Sequence, residues 1–160
     1  MIRDATPRDR SRIRAIQLAA LDEPWPELLD PAIEGPPIVL VTTAAPDSAG
    51  EFSTDQPTAE SPQLSRDEPV GYAVAIPEDD SAYLAEFAIA TGYRRSGRGT
   101  ALMDALCRRL ANEGFEALRL TVKMGDEGAR SFYDAQGFRV RSLLPHHYEA
   151  GDGLQLRRSL

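Results

Sequence analysis

The chain of 160 residues carries 18 basic and 25 acidic side chains, which gives a formal net charge of −7 at pH 7. This length suits one hydrophobic core, so we expect a single domain over residues 1–160. The acid excess argues against binding to nucleic acid or to an anionic membrane, and an anionic ligand therefore requires a local basic site.

Cysteine content and hydropathy narrow the setting further. Cys107 is the single cysteine, which excludes an internal disulfide. No stretch approaches the roughly 18 to 20 consecutive apolar residues of a membrane span, and Met1–Asp4 lack the apolar core of a signal peptide. We therefore expect a cytoplasmic protein. Lys123 is the only lysine, a bias that fits either a saline cytoplasm or an arginine-rich genome composition.

The first half of the chain predicts a helical start followed by a meander of strands. The apolar spacing of Ile13, Ile16, Leu18 and Leu21 predicts a helix from Pro7 to about Asp22. The remaining elements predicted in this half are a short strand Ile2–Thr6, a short helix Glu27–Ile33, and strands Ile38–Thr43, Pro69–Ile76 and Ala82–Ala90.

Ala44–Glu68 differs in composition from its surroundings. It contains three prolines and six acidic residues, and Phe52 and Leu64 are its only bulky apolar side chains. Such a segment buries too little surface to offset its ordering entropy. We expect a mobile acidic loop inserted between two strands.

The second half alternates helices with strands. Leu102, Leu106 and Leu110 recur at i, i+4 and i+8 in a predicted helix Thr100–Gly114, which ends at a glycine. The other predicted elements are a strand Ala117–Val122, a helix Gly128–Gln136, a strand Phe138–Leu144 and a last edge strand Leu154–Arg158. This order indicates a mixed sheet with helices on its faces.

The stretch Arg94–Thr100, between a strand and a helix, is the most informative segment. Glycines allow successive backbone N–H groups to face one point, and the helix N-terminus adds partial positive charge. This pattern predicts an anion cradle; the alternative is a tight turn with solvated arginines. The stretch lacks the Gly-Lys-Ser/Thr ending of a P-loop, and Leu102 stands where a dinucleotide fingerprint has its third glycine.

Here the sequence resembles the GNAT superfamily of acyl-CoA-dependent N-acyltransferases. The family signature Arg/Gln-x-x-Gly-x-Gly/Ala is matched by Arg94, Gly97 and Gly99, and Leu120–Phe138 resembles the second motif of a strand, a short helix with a tyrosine, and Gly-Phe. Together with the His147-Tyr148 tail, this motif is most similar to the protein N-terminal acetyltransferases, including the ribosomal-protein-alanine enzymes. The resemblance implies a GNAT-type α/β fold, in which about four helices flank a mixed, largely antiparallel, twisted sheet of about six or seven strands.

The resemblance also implies acetyl-CoA as the cosubstrate. By position, the backbone of Phe87, Ala88 and Ile89 lies along the pantetheine arm. The N–H groups of Arg95–Thr100 hold the pyrophosphate. The cofactor-binding residues of this loop are Arg94, Arg95, Ser96, Gly97, Arg98, Gly99 and Thr100.

Two residues are candidates for the chemistry. In the family a tyrosine at the position of Tyr133 donates a hydrogen bond or proton to the departing thiolate, which needs stabilisation; the alternative is core packing beside Phe132. Relatives often carry Glu or His where this chain has Thr121, which cannot act as a base at neutral pH. Glu86, acting through water, is the substitute base, and an exposed or salt-bridged strand residue is its alternative. Asp126 is expected to cap the helix after it.

The acceptor side is less defined by the sequence. Trp25 lies between the first two helices, where it either lines the acceptor groove or packs in the core. His147 and Tyr148 either line the acceptor side or lie in a solvated loop. With two histidines and one cysteine, the sequence predicts no metal site, and Cys107 lies within an amphipathic helix, which is a poor place for a nucleophile.

We therefore predict an acetyl-CoA-dependent N-acetyltransferase that acts by direct attack in a ternary complex. The preferred acceptor is a protein N-terminal α-amine. The alternatives are a small-molecule amine and a catalytically inactive acyl-CoA-binding regulatory module. No nucleic acid or membrane partner is expected, and the sequence leaves open whether the protein is a monomer or a homodimer.

Overall fold

The computed structural model describes residues 1–21, 24–35, 37–45, 66–94, 96–148 and 151–160. Four α-helices lie among these residues: α1 (Arg10–Ala20), α2 (Pro26–Glu34), α3 (Arg98–Asn112) and α4 (Glu127–Ala135). Seven strands lie there too: β1 (Ile2–Asp4), β2 (Ile38–Thr43), β3 (Pro69–Pro77), β4 (Ser81–Ile89), β5 (Ala117–Lys123), β6 (Arg139–Tyr148) and β7 (Gly151–Ser159).

The strands form one sheet in the order β1-β2-β3-β4-β5-β7-β6. Every neighbouring pair is antiparallel except β4 and β5, which run parallel. The expected mixed, largely antiparallel sheet with four flanking helices is thus confirmed.

The position of the last strand corrects a prediction. The sequence analysis placed Leu154–Arg158 at an edge, but β7 lies between β5 and β6 and pairs with both. Leu154 and Leu156 are buried, which suits an interior strand. Strand β6 is the edge instead, and it extends to Tyr148, beyond the predicted end at Leu144.

The helices cover the two faces of the sheet. Leu102, Leu106 and Leu110 of α3 are fully buried against one face. On the other face, the core contains Ile13 and Ile16 of α1 together with residues of α2. Leu18, which contributed to the helix prediction, is instead 60% exposed, whereas Gln17 is fully buried.

Strands β4 and β5 separate part of the way along their length, which leaves a gap in the sheet. Their parallel pairing covers Ser81 to Tyr83 of β4 and stops at the pair Tyr83–Arg119, so the rest of β4 lacks a strand partner on that side among the described residues. A bulge at Ala85 accompanies this change, because Val74 of β3 pairs with Glu86 while Ala75 pairs with Leu84. A bulge reverses the alternation of side chains. Glu86 therefore faces the α1 side of the sheet.

Three other predictions bear on the described residues. Ala44 and Ala45 continue the β2–β3 pairing through hydrogen bonds to the carbonyls of Glu68 and Arg66, but residues 46–65 of the predicted loop lie outside the described residues. None of the described helices is both long and apolar enough to span a bilayer. No group of three or more His, Cys, Asp or Glu side chains suited to a metal ion occurs in the described part of the chain.

Candidate active site

A cavity of about 800 Å³ opens where β4 and β5 part. It brings together side chains that are far apart in the sequence, from α1 to the end of β6. The predicted site residues that line it are Trp25, Glu86, Phe87, Ala88, Ile89, Arg94, Gly97, Gly99, Thr100, Tyr133, His147 and Tyr148.

The N-terminus of α3 has the geometry expected of an anion cradle. Gly97, the N-cap residue, has φ +80°, and no side chain of the described residues caps this helix end. A Cβ at Gly97 would meet no atom within 4 Å, so the turn borders open space. The first N–H groups of a helix have no intrahelical partner. They are thus available, with the helix dipole, to an anion in the cavity.

Gly99 has a different role from Gly97. A Cβ at Gly99 would lie 3.3 Å from the Phe132 ring, so the missing side chain lets α3 and α4 approach closely. Gln136, the C-cap residue of α4, also donates a hydrogen bond to the Thr100 hydroxyl over 3.1 Å. These two contacts fix the start of α3 against the helix that carries Tyr133.

The arginines of the cradle do not all face the cavity. Arg94 lines it, with its Nε held by the carbonyl of Ile89 at 2.9 Å. The guanidinium of Arg98 instead donates to the carbonyl of Thr43 at 2.7 Å. Its side chain therefore ties α3 to the end of β2, and the cofactor contact predicted for Arg98 stays a prediction that concerns its backbone N–H group. The Ser96 hydroxyl donates to the Tyr93 carbonyl, and Arg95 lies outside the described residues.

Tyr133 lines the cavity from α4 and belongs to a row of aromatic rings. Its ring centroid lies 5.3 Å from Phe132 and 5.5 Å from Phe138, and Phe132 in turn contacts Phe87 of β4. Burial is the main cause that raises the pKa of Tyr133, with smaller contributions from Asp126 and Tyr148. The phenol therefore stays protonated across the neutral range.

The helix that carries Tyr133 begins as predicted. Asp126 is the N-cap residue of α4, and its carboxylate accepts a hydrogen bond from the Ala129 N–H at 3.0 Å. Loss of such a cap typically costs about 1 kcal/mol of stability. The capping role of Asp126 is confirmed.

Glu86 is not exposed, and it has no salt-bridge partner among the described residues. Its side chain is buried, with the residue 6% exposed, and its carboxylate accepts three hydrogen bonds. Oε1 accepts from Gln17 Nε2 at 2.8 Å and from the Tyr72 hydroxyl at 3.2 Å, and Oε2 accepts from the Trp25 N–H at 3.0 Å. The alternative interpretation of Glu86 as a surface residue is therefore wrong.

The sequence analysis missed Gln17 and Tyr72 as parts of this site. A signal existed for Gln17, which follows Ile13 by four positions and so lies on the apolar face of α1. A buried polar side chain on such a face needs a polar partner. No comparable signal marks Tyr72, an aromatic residue in a buried strand.

The end of the cavity where the sequence analysis predicts the acceptor is aromatic. Trp25 is 51% exposed, which excludes simple core packing. His147 and Tyr148 end strand β6 rather than lying in a loop, and their rings meet edge to face at 4.8 Å. Lys123 of β5 places its Nζ 5.5 Å from the Tyr148 ring centroid. Thr121, which also lines the cavity, lies 3.5 Å from the Tyr83 hydroxyl.

Comparison with known proteins supports the resemblance stated from the sequence. [Ribosomal protein bS18]-alanine N-acetyltransferase of Escherichia coli (strain K12) is 31% identical over 74 residues, which are 46% of this chain and 50% of that protein. The chain thus spans about half the length of the curated relatives it matches.

Solved structures match over nearly the whole chain. Ard1 from Thermoplasma volcanium gives a TM-score of 0.80 at 25% identity, covering 100% of this chain and 97% of that one. Arabidopsis thaliana NAA60 in complex with acetyl-CoA gives 0.78 at 15% identity, covering 100% and 98%, and this likeness shows the fold alone. The sequence profile of the acetyltransferase (GNAT) family matches residues 14–138, which is most of the chain, and the chain therefore belongs to that family.

Proposed function

We propose that this protein is an acetyl-CoA-dependent N-acetyltransferase that acetylates a primary amine by direct attack in a ternary complex. The observation that carries the proposal is the composition of the cavity. The cavity is lined by the N-terminus of α3, by the Tyr133 side chain with its hydroxyl group, and by Glu86 with its buried carboxylate. Acetyl-CoA is a thioester that also carries phosphate groups. The anion site suits the phosphates, the phenol suits the departing thiolate, and the carboxylate suits the proton that the amine loses.

The residues of the cradle fit the phosphates of acetyl-CoA. Gly97 opens the turn without a side chain in the way, and the N–H groups of α3 provide donors to the pyrophosphate. Residues 84–89 of β4 border the gap to β5, and the backbone of Phe87 and Ala88 offers hydrogen bonds to the amides of the pantetheine arm. When bound, acetyl-CoA supplies a thioester whose acetyl carbon bonds to the amine nitrogen as its bond to sulfur breaks.

Tyr133 stabilises the sulfur that leaves. The pKa of Tyr133 is raised mainly by burial, while a thiol ordinarily has a pKa of about 8.5. The phenol is thus the weaker acid. It acts mainly by donating a hydrogen bond to the thiolate at the moment its charge develops.

Glu86 receives the proton of the amine. A carboxylate oxygen has two lone-pair sites, and both sites of Oε1 are taken by Gln17 and Tyr72. Oε2 accepts only the Trp25 N–H among the described donors. Its second site is directed to the acceptor amine, either through an ordered water or by direct contact.

The acceptor that we propose is a protein N-terminal α-amine. The support is the ribosomal-protein-alanine N-acetyltransferase of E. coli, whose printed name assigns such an acceptor to that relative. The aromatic side chains of Trp25, His147 and Tyr148 at the acceptor end add a surface suited to the first residues of a peptide.

An inactive acyl-CoA-binding module is the second candidate, and Thr121 favours it. A hydroxyl group at this position of β5 cannot remove a proton from an ammonium group near neutral pH. Under this alternative, Glu86 acts only as a structural carboxylate and the cavity binds acetyl-CoA without turnover.

Two measurements test the proposal. Calorimetry with acetyl-CoA should show binding, and an absence of binding at millimolar ligand would refute both candidates. Mass spectrometry should then detect acetylation of N-terminal peptides of ribosomal proteins in preference to polyamines and free amino acids. Preferred acetylation of a small amine would replace the peptide acceptor, and binding without any acetylation would favour the inactive module.

A further inference from the structure

Gln17 is a buried polar residue that packing alone does not explain. Its side chain is fully buried on the apolar face of α1, between the helix and the sheet. Its Oε1 atom has no hydrogen-bond partner among the described residues. Burying an amide with an unpaired oxygen costs stability. An apolar side chain of similar volume would avoid this cost, so the amide nitrogen must serve a purpose.

That nitrogen closes a ring of hydrogen bonds. Gln17 Nε2 donates to Glu86 Oε1 at 2.8 Å and to the Trp25 carbonyl at 3.2 Å. The Trp25 N–H donates to the other carboxylate oxygen, Oε2, at 3.0 Å. Gln17 and Glu86 thus hold both polar groups of the Trp25 backbone. The amide cannot be reversed, because its oxygen would then face a carboxylate and a carbonyl.

The Glu86 end of the ring is itself fixed. The Tyr72 hydroxyl of β3 donates to the same Oε1 atom from the far side. Burial, together with the nearby Glu86 carboxylate, raises the pKa of Tyr72, so this phenol remains a donor. Among the described residues, the Tyr72 hydroxyl bonds to Glu86 and not to the Trp25 backbone, which separates its role from that of Gln17.

The ring determines where the indole of Trp25 lies. The side chain is 51% exposed at the cavity, so packing restrains only part of it. Its backbone joins α1 to the first turn of α2, where Leu28 N–H donates to the Trp25 carbonyl at 3.1 Å. Among the described residues, the hydrogen bonds to Glu86 and Gln17 are the side-chain hydrogen bonds that restrain the Trp25 backbone.

We propose that Gln17 is a positioning residue, which fixes Trp25 through Glu86 and so sets the width and selectivity of the acceptor end of the cavity. The inference rests on the proposed function in that it assigns Trp25 to the acceptor. The inference adds a second role for Glu86, the proposed base: its carboxylate also anchors the backbone of Trp25, which is proposed to contact the acceptor. Loss of Gln17 should therefore weaken acceptor binding and leave acetyl-CoA binding intact, because the α3 cradle shares no hydrogen bond with the ring in the part of the chain that the structure describes.

Trp25 provides a direct test, because it is the only tryptophan of the chain. Gln17→Met keeps the volume of the side chain and removes the donor. In this variant, acrylamide quenching of tryptophan fluorescence should rise by up to about twofold, since half of the indole is already exposed. Tyr72→Phe should raise quenching less. Gln155→Met is the matched control, because Gln155 of β7 bonds to Ser142 outside the cavity and should leave quenching unchanged.

Steady-state kinetics test whether Gln17 also affects binding of the acceptor. In Gln17→Met, KM for the acceptor should rise about tenfold, as expected when a hydrogen bond to a charged group is lost, with the Kd of acetyl-CoA unchanged. Circular dichroism verifies that each variant is folded; should Gln17→Met unfold, Gln17→Leu carries the same comparison.

The two readouts separate the inference from the proposed function. Quenching needs no turnover, so an inactive protein with increased quenching in Gln17→Met supports the positioning role and refutes only the enzymatic function. An active enzyme whose quenching and acceptor KM match the wild type in a folded Gln17→Met variant overturns the inference.

Discussion

The two walls of the cavity are built by different means. The wall of α3 and α4 comes from two short stretches, 96–100 and 126–138, in which glycines and a helix cap place backbone N–H groups and the Tyr133 ring. The wall of α1 depends on Gln17, Trp25, Tyr72 and Glu86, which come from four separate parts of the chain. Backbone geometry that depends on neighbouring residues can be predicted from a sequence. A hydrogen-bond network between distant parts of the chain cannot be predicted in the same way.

The largest expected effect lies on the α4 wall. Tyr133→Phe keeps the ring against Phe132 and Phe138 but removes the hydroxyl, so kcat should fall by roughly 10 to 1,000-fold. The Kd of acetyl-CoA, measured by calorimetry, should not change. Tyr93→Phe, close to the cradle, is the control and should retain the wild-type rate. Full activity of Tyr133→Phe would reduce Tyr133 to a packing residue.

A smaller effect is expected at the cradle on the same wall. Gly97→Ala forces an alanine into φ +80°, at a cost of about 1 to 2 kcal/mol. If the cradle relaxes to avoid this strain, acetyl-CoA affinity should fall by about tenfold in calorimetry. Gly114→Ala imposes a similar strain at the opposite end of α3, with φ +94°. It should lower the thermal midpoint and leave affinity unchanged; equal losses of affinity would contradict the cradle.

A second buried carboxylate, that of Asp9, lies at the start of α1 and is not among the residues that line the cavity. It should affect stability without affecting the cavity. Asp9 accepts hydrogen bonds from Arg3 at 2.7 and 2.9 Å. Burial alone would raise the pKa of Asp9, but the bonds from Arg3 and Thr6 outweigh burial and lower it. Asp9→Asn should therefore cost about 1 to 3 kcal/mol of unfolding free energy near neutral pH, measured with urea.

The pH dependence of this cost has a defined sign. A depressed pKa stabilises the fold above the unfolded-state value, near 3.9 for Asp. The difference between wild type and Asp9→Asn should shrink as the pH falls through the lower, folded-state pKa. A difference independent of acid pH would show that Asp9 contributes by packing rather than by charge.

The smallest expected effect concerns kcat at alkaline pH, where we expect no loss of rate from ionisation of Tyr133. Because the pKa of Tyr133 is raised, its ionisation should not reduce kcat near pH 10, the ordinary value for tyrosine. The profile of kcat against pH, compared with that of Tyr133→Phe, measures this. A loss of rate centred near pH 10 in the wild type alone would place the phenol in a more exposed setting.

The fold was largely predictable because its strands and helices have strong local patterns. Strand β2 was predicted with its exact bounds, since Ile38–Thr43 are apolar or β-branched and all buried. The place of β7 was not predictable in this way, because pairing partners are chosen by the whole sheet. The expected mobility of residues 44–68 stays a prediction for 46–65, which lie outside the described residues.

The candidate site likewise contains residues that could be predicted from local sequence and others whose contacts depend on the whole fold. Gly97 and Tyr133 were found through spacing and resemblance, and both line the cavity. The hydrogen bond from the Arg98 side chain to the end of β2 was not predicted, because a basic residue beside a cradle can equally bond to a neighbouring strand. Glu86 was noticed, but its burial depends on the bulge at Ala85, which no alternation of residues in β4 reveals.

The insertion of β7 between β5 and β6 has a consequence for the order in which the sheet forms. Strands β5 and β6 do not pair with each other, and each meets β7 along most of its length. During synthesis, both therefore leave the ribosome before their common partner exists. Until β7 is made, His147 and Tyr148 have no strand beside them, and the end of the cavity proposed for the acceptor lacks its outer side. The nascent chain can complete the cradle of α3 early, but it completes the other end of the cavity only with the last of the described strands.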